Sequence, residues 1–183
     1  ERIRGAFNRT SNPNPLILNG SGSQLVLRDI FWVSGPPYRS EPSTGSIFIE
    51  NAHSLPGSQD NELDIPAYVV RGQNFYAWQF NPEQLFPHML ADNASVVLFG
   101  GKMGETRGPL IQAINHAEVE VVGFPVNVTH DTIDIDPEET VIIKTTDSNV
   151  TASFIEQAQL TGSGRGWGRH HFVAIERRMG EER

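Results

Sequence analysis

Four carboxylates in this 183-residue chain sit at or just beyond an expected strand: Asp29, Glu50, Glu83 and Glu105. Hydrolysis of a glycosidic bond needs two such groups, one as acid and one as base or nucleophile. In a stack of short parallel strands, equivalent positions of neighbouring turns lie about 5 Å apart. Carboxylates two turns apart then fall at hydrolase distance. Trp32, Tyr76 and Trp78 have faces on which sugar rings can stack. Structural roles compete with this reading. Glu83 and Glu105 fit as acceptors for backbone N–H groups in turns, and Trp78 fits as a core residue or one buried under a loop.

A lyase needs a base beside a uronate carboxyl, and Ca²⁺ usually offsets the substrate charge. Lys102, Arg28 and Arg71 are the basic residues placed for that role. The most acidic segment runs from His130 to Glu139 (HDTIDIDPEE), and its Asp134 and Asp136 share one face if extended, which makes them Ca²⁺ candidates. The segment lacks the glycine and ligand spacing of an EF-hand, so a charged, solvated edge strand is the competing assignment. His170 and His171 point to opposite faces of a strand and cannot chelate one ion. The other histidines show no ligand spacing, and no transition-metal site or other cofactor is expected. GSGRGWG (162–168) lacks the Lys-Ser/Thr of a phosphate loop.

Short apolar runs between turn clusters must position these residues. They are Ser23–Val33, Gly45–Glu50, Ala67–Phe80, Ser95–Gly100, Glu118–Phe124, Thr140–Thr145, Ser153–Glu156 and His171–Glu176. Seventeen glycines, twelve prolines and the lack of long helical patterns predict an all-β chain. The centres of the earlier runs lie roughly 20 to 30 residues apart, a solenoid period. Several runs carry apolar residues at consecutive positions, FYAWQF (75–80) most plainly, whereas a half-exposed antiparallel sheet alternates. The spacing therefore predicts a parallel β-helix, with Asn and Pro at its corners and FYAWQFNPE as one strand stopped by Asn81-Pro82-Glu83. The alternative is a β-sandwich or jelly roll, in which Asn19-Gly20 closes a hairpin from LIL (16–18) to LVL (25–27).

Net charge is −8, and only two of the 14 basic residues are lysines. Scattered arginines and an acidic balance argue against a nucleic-acid surface. The chain has no cysteine, which removes disulfides, thiolate metal sites and Cys nucleophiles. No apolar run is long enough to span a bilayer. Five sequons begin at Asn8, Asn19, Asn93, Asn127 and Asn149. They fit a glycosylated, exported protein or simply a turn-rich chain that uses many Asn, Ser and Thr.

LVLRDIFW, GSIFIENA, FYAWQFNPE, SVVLFGGKMGE and HAEVEVVGF, in that order, resemble the later coils of pectate-lyase-like right-handed parallel β-helix proteins, in the branch related to family 55 glycoside hydrolases. The matching positions are Trp78, Gln79, Asn81 and Glu83, then Lys102 and Glu105, then Glu120, Val121 and Gly123, with VAIERRMGEER as the closing segment. The resemblance covers residues 16–183. It departs at Tyr76-Ala77-Trp78, where the family tends to have Trp-Ala-Arg, and at Asp92-Asn93-Ala94, where relatives prefer Asp-Gly-Gly.

The resemblance implies a carbohydrate-associated β-helix acting on extracellular glycans as a polysaccharide hydrolase or lyase, secreted or held at the cell surface. Gln79, Asn81 and Lys102 join Trp32, Tyr76 and Trp78 as implied substrate-binding residues. The alternative function is a non-catalytic structural or binding subunit of a fibre, surface layer or spike. Residues 1–15 are expected to form an N-terminal arm, and 16–183 a β-helix with a C-terminal capping segment. Solenoid ends need covering. The first coil is therefore expected to meet a companion chain, an N-terminal segment of a longer protein, or a second copy.

Overall fold

A computed structural model describes residues 2–6, 14–20, 22–33, 35–42, 45–55, 65–83, 87–104, 109–128, 141–158 and 173–178. Every regular element among them is a strand, and every strand pair is parallel. One sheet runs through β1 (Arg2–Ala6), β3 (Leu25–Val33), β5 (Ile47–Leu55), β7 (Asn74–Pro82), β9 (Ser95–Gly101) and β12 (Glu118–Val128). β12 also pairs with β14 (Asn149–Ala158) and with the short β10 (Met103–Gly104). The second sheet contains β2 (Ile17–Asn19), β4 (Tyr38–Ser40), β6 (Tyr68–Arg71), β8 (Met89–Asp92), β11 (Ile111–Ile114), β13 (Val141–Thr146) and β15 (Val173–Arg178), in that spatial order.

The chain therefore alternates between sheets, laying each strand beside its counterpart from the previous passage. Arg28, Glu50, Trp78, Phe99, Val122 and Ser153 stand in one such column. Parallel pairing throughout the described residues excludes an antiparallel jelly roll. It also overturns the hairpin at Asn19-Gly20, because β2 and β3 lie in different sheets. The run Ala67–Phe80 is likewise two strands in two sheets, separated by a corner at Gly72-Gln73.

Two repeated backbone devices shape each passage. At the corner into the longer sheet, Gly72, Asn93, Asn115 and Asp147 all take positive φ. Asn and Asp tolerate this conformation better than most residues because their short polar side chains bond locally. Within the longer sheet, Asp29, Asn51, Gln79, Gly100 and Gly123 take left-handed φ between 51° and 70° in five successive strands, and Gly101 beside Gly100 has a φ of 151°. A left-handed residue turns the strand and shifts its inside–outside alternation by one. In β7, Phe75 and Ala77 point inward, Trp78 and Gln79 are both exposed, and Phe80 is again buried. This explains the apolar residues on both apparent faces of FYAWQF. It also corrects the expected stop: Asn81 and Pro82 belong to the strand, and the bend is at Gln79.

The core lies between the sheets and is built from columns. Leu27, Ile49, Ala77, Leu98 and Val121 form one in the longer sheet. Tyr38, Tyr68, Met89, Ile111 and Ile143 form one in the shorter sheet. Tyr68, Phe75 and Phe80 meet edge to face, with the Tyr68 and Phe80 centroids 4.7 Å apart. Asn19, Tyr38 and Gln73 form a hydrogen-bonded chain inside. Asn19 Nδ2 donates to Tyr38 Oη at 3.2 Å, and Tyr38 Oη donates to Gln73 Oε1 at 2.7 Å. Gln73 Nε2 donates to the Gly45 carbonyl.

Candidate functional site

On the outer face of the longer sheet, before the bend, two columns stand about two residues apart. One is Val26, Phe48, Tyr76 and Val97, and the other is Arg28, Glu50, Trp78 and Phe99. Outward positions of a solvated strand normally carry polar side chains. Here Trp78 is 47% and Phe99 52% exposed, and Val26 is exposed beside them. Phe48 and Tyr76 stack with centroids 5.0 Å apart and planes 18° from parallel. Val26, Phe48, Trp78 and Phe99 wall a groove of about 700 Å³ whose polar lining is Arg28, Glu50 and Gln79. That volume falls within the range of small-molecule sites, and a mainly apolar lining with a few oriented polar groups is their usual chemistry.

The charges in the groove oppose each other. Arg28 Nε lies 2.9 Å from Glu50 Oε2, with both side chains more than half exposed. An exposed pair contributes little stability, so its main effect is to leave the groove near neutrality. One position further on, Asn51 Nδ2 donates to Asp29 Oδ1 at 2.8 Å, and with Gln79 these residues line the bend in polar groups. At Gly100 the same column carries no side chain, leaving the backbone open beside Phe99.

A second polar cluster lies past the bend. Lys102 Nζ donates to Glu83 Oε1 at 2.6 Å, and His53 Nε2 lies 3.8 Å from Glu83 Oε2. The Glu83 backbone N–H bonds the Ser54 carbonyl, and the Lys102 N–H bonds that of Phe80. The cluster thus ties three neighbouring passages together. Burial disfavours the Glu83 carboxylate, but the Lys102 hydrogen bond and charge, the charge of His53 and a hydrogen bond with Asn81 outweigh it. The carboxyl is held below its ordinary value of 4.5. A carboxyl depressed in the folded state stabilises fully above its unfolded value, and that contribution is lost as pH falls through the lower folded value. Glu83→Gln is therefore expected to cost about 1–2 kcal/mol at pH 7. Urea midpoints of the two chains should converge on acidification below about pH 4.5; a gap that persists there would refute the assignment.

The expected paired acids are not assembled among the described residues. Glu50 faces Arg28, Asp29 faces Asn51, and Glu83 lies past the bend beside Ser54, at the far end of β5 from Glu50. Glu83 accepts an ion pair from Lys102. Lys102 is engaged by Glu83, and Arg71 lies 3.4 Å from Asp92 at a corner. Trp32 is 5% exposed and its indole donates to the Gly35 carbonyl at 3.0 Å, so it is a core residue and not a sugar platform. Trp78, with a core role as its competing assignment, is exposed. Tyr76 stacks on Phe48, Gln79 lies on the groove, and Asn81 sits past the bend near Glu83.

The sequon asparagines separate in the same way. Asn19 is 6% exposed and bonded to Tyr38, an arrangement incompatible with a glycan on its amide. Asn93 and Asn149 are exposed, and Asn127 lies in β12. Glu105, Asp134, Asp136 and Asn8 lie outside the described residues, as do the 162–168 loop and His170 and His171. Among the described residues no group of three or more His, Asp or Glu side chains is placed to hold a metal, and no helix is long and apolar enough to cross a membrane.

Val26, Phe48 and Phe99 escaped the sequence reading. Their signal was the pairing column: once strands are aligned at the positive-φ residue, they fall beside Tyr76 and Trp78 at outward positions. No family model, curated protein or solved structure matches the chain.

Proposed function

We propose that this chain is a right-handed parallel β-helix of the pectate-lyase-like kind, and that it binds extracellular glycans through the groove beside Trp78. Parallel crossovers are almost always right-handed because a right-twisted strand packs back onto its sheet that way. The observation that carries the functional reading is the exposed pair Trp78 and Phe99 on adjacent strands, flanked by Arg28, Glu50 and Gln79. Aromatic faces are electron-rich and attract the C–H edges of a sugar ring, while amide and charged groups bond its hydroxyls. An exposed aromatic patch of this kind marks an interaction site.

Binding is favoured over hydrolysis. Of the described residues lining the groove only Glu50 carries a carboxylate, and hydrolysis requires two. A secreted or surface-exposed location follows from this reading as part of the proposal.

Affinity electrophoresis on neutral and acidic polysaccharides tests it. Trp78→Ala is expected to weaken retention at least about tenfold, as loss of a central aromatic anchor does. Because Trp78 is half exposed, the urea midpoint should barely move. Retention unchanged in the variant, or no glycan retained at all, refutes the reading. A Trp78-dependent dimer seen by light scattering would instead support a self-assembling structural subunit.

A further inference from the structure

We infer that the groove selects uncharged, extended glycans lying across the strands, and that Glu118 and Glu120 exclude polyanionic ones. The inference rests on the glycan reading of the groove and names its ligand class. Trp78 and Phe99 are direct partners on neighbouring strands. A ligand that stacks on both must run along the direction in which strands accumulate. Strand spacing there is about 4.8 Å, close to the length of one pyranose in an extended chain. Such a ligand advances by about one ring per strand, which favours flat, extended polymers over coiled ones.

Charge decides which polymers of that shape fit. Within the groove Arg28 and Glu50 neutralise one another at 2.9 Å. Continuing along the stack, the next strand after Phe99 is β12. Its Glu120 occupies the same outward column as Phe48, Tyr76 and Val97, and Glu118 lies two residues before it. Both are exposed. On the strand after that, the same columns hold the neutral Asn149 and Thr151. No described basic side chain shares the Glu118 and Glu120 columns. A polyuronate carries one negative charge per ring; a chain running from Trp78 over Phe99 reaches Val122 in the same column, with Glu120 two residues and Glu118 four residues to one side on β12, so its carboxylates pass alongside these two acids. Like charges at such separations repel and discriminate between otherwise similar ligands. A neutral chain of the same shape meets only hydrogen-bonding groups.

The test compares binding of an uncharged, extended β-linked glucan (hydroxyethyl cellulose) with polygalacturonate, without divalent cations, at low and at 0.5 M salt, on the full chain. Wild type should retain the neutral polymer and leave polygalacturonate unretained. Glu118→Gln with Glu120→Gln should raise polygalacturonate retention at least about fivefold at low salt, with the gain shrinking at high salt as charges are screened. Retention of the neutral polymer should stay the same, which also shows that the double variant is folded. A double variant that discriminates as strongly as wild type, or a wild type that prefers polygalacturonate, overturns the inference while leaving the groove a glycan site. Retention of neither polymer by wild type removes the glycan reading and this inference with it.

Discussion

Replacing Phe80 with alanine is expected to destabilise the chain by about 3–5 kcal/mol. Phe80 is 0% exposed, its ring meets Tyr68 at 4.7 Å and Phe75 at 6.0 Å, and it fills the space inside the bend of β7. Truncation removes the transfer free energy of the ring and leaves a cavity that rigid neighbours cannot close. Since whole domains are stable by only about 5–15 kcal/mol, the loss is a large share of the total. Trp78→Ala, two residues earlier, should cost less than about 1 kcal/mol because that ring is half in water. The contrast is diagnostic. A strand with regular alternation places residues 78 and 80 on one face, and the two substitutions would then behave alike. Urea unfolding of both variants decides it: comparable shifts in midpoint would mean that β7 has no left-handed residue at Gln79.

The second large effect concerns two adjacent glycines. Gly100 has a φ of 61° and Gly101 one of 151°. A Cβ on Gly100 would meet nothing within 4 Å, so Gly100→Ala carries only the left-handed backbone cost, about 1–2 kcal/mol. A Cβ on Gly101 would collide with the backbone carbonyl of Phe80 on the neighbouring strand. Backbone there cannot withdraw cheaply. The Phe80 carbonyl also accepts the Lys102 N–H at 3.1 Å, and Phe80 itself is wedged in the core. Gly101→Ala should therefore cost at least about 3 kcal/mol, and it should loosen the Glu83–Lys102 contact that follows. Thermal melting of the two variants gives the comparison. Equal losses would mean that strand spacing at this point is wider than the structure has it.

Both predictions depend on a feature that was only half legible in the sequence. The eight apolar runs correspond to strands because β-branched and aromatic residues between turn clusters have few other ways to be buried. Their spacing indicated stacking, and the columns fall 21 to 31 residues apart. The strands β4 (YRS), β8 (MLAD) and β11 (IQAI) went unread. Each has three or four residues, too few to establish a period, and polar residues within them are buried or paired by neighbours distant in the chain. Ser40 is one: its hydroxyl accepts the Arg71 N–H at 2.6 Å, 31 residues away.

The candidate site divides along the same line. Trp78 and Glu50 were identifiable by residue type and Gln79 through the family resemblance, and all three line the groove. Trp32 carried the same chemical promise and is buried, because the left-handed Asp29 turns it inward. Glu83 and Glu50 looked alike as acids, yet the bend puts one beside Lys102 and the other beside Arg28.

By itself the sequence determined that the chain is all-β, that its strands recur roughly 20 to 30 residues apart and that asparagine and proline mark the corners between them. These follow from local preferences of backbone and side chain. Tertiary structure alone decided which side chains share a column and which way they face. In five strands of the longer sheet a left-handed residue reverses the inside–outside order, and its position is set by contacts with the strands above and below. Alternation read along a single strand cannot reveal such a reversal, since the free energy that fixes it lies between passages of the chain.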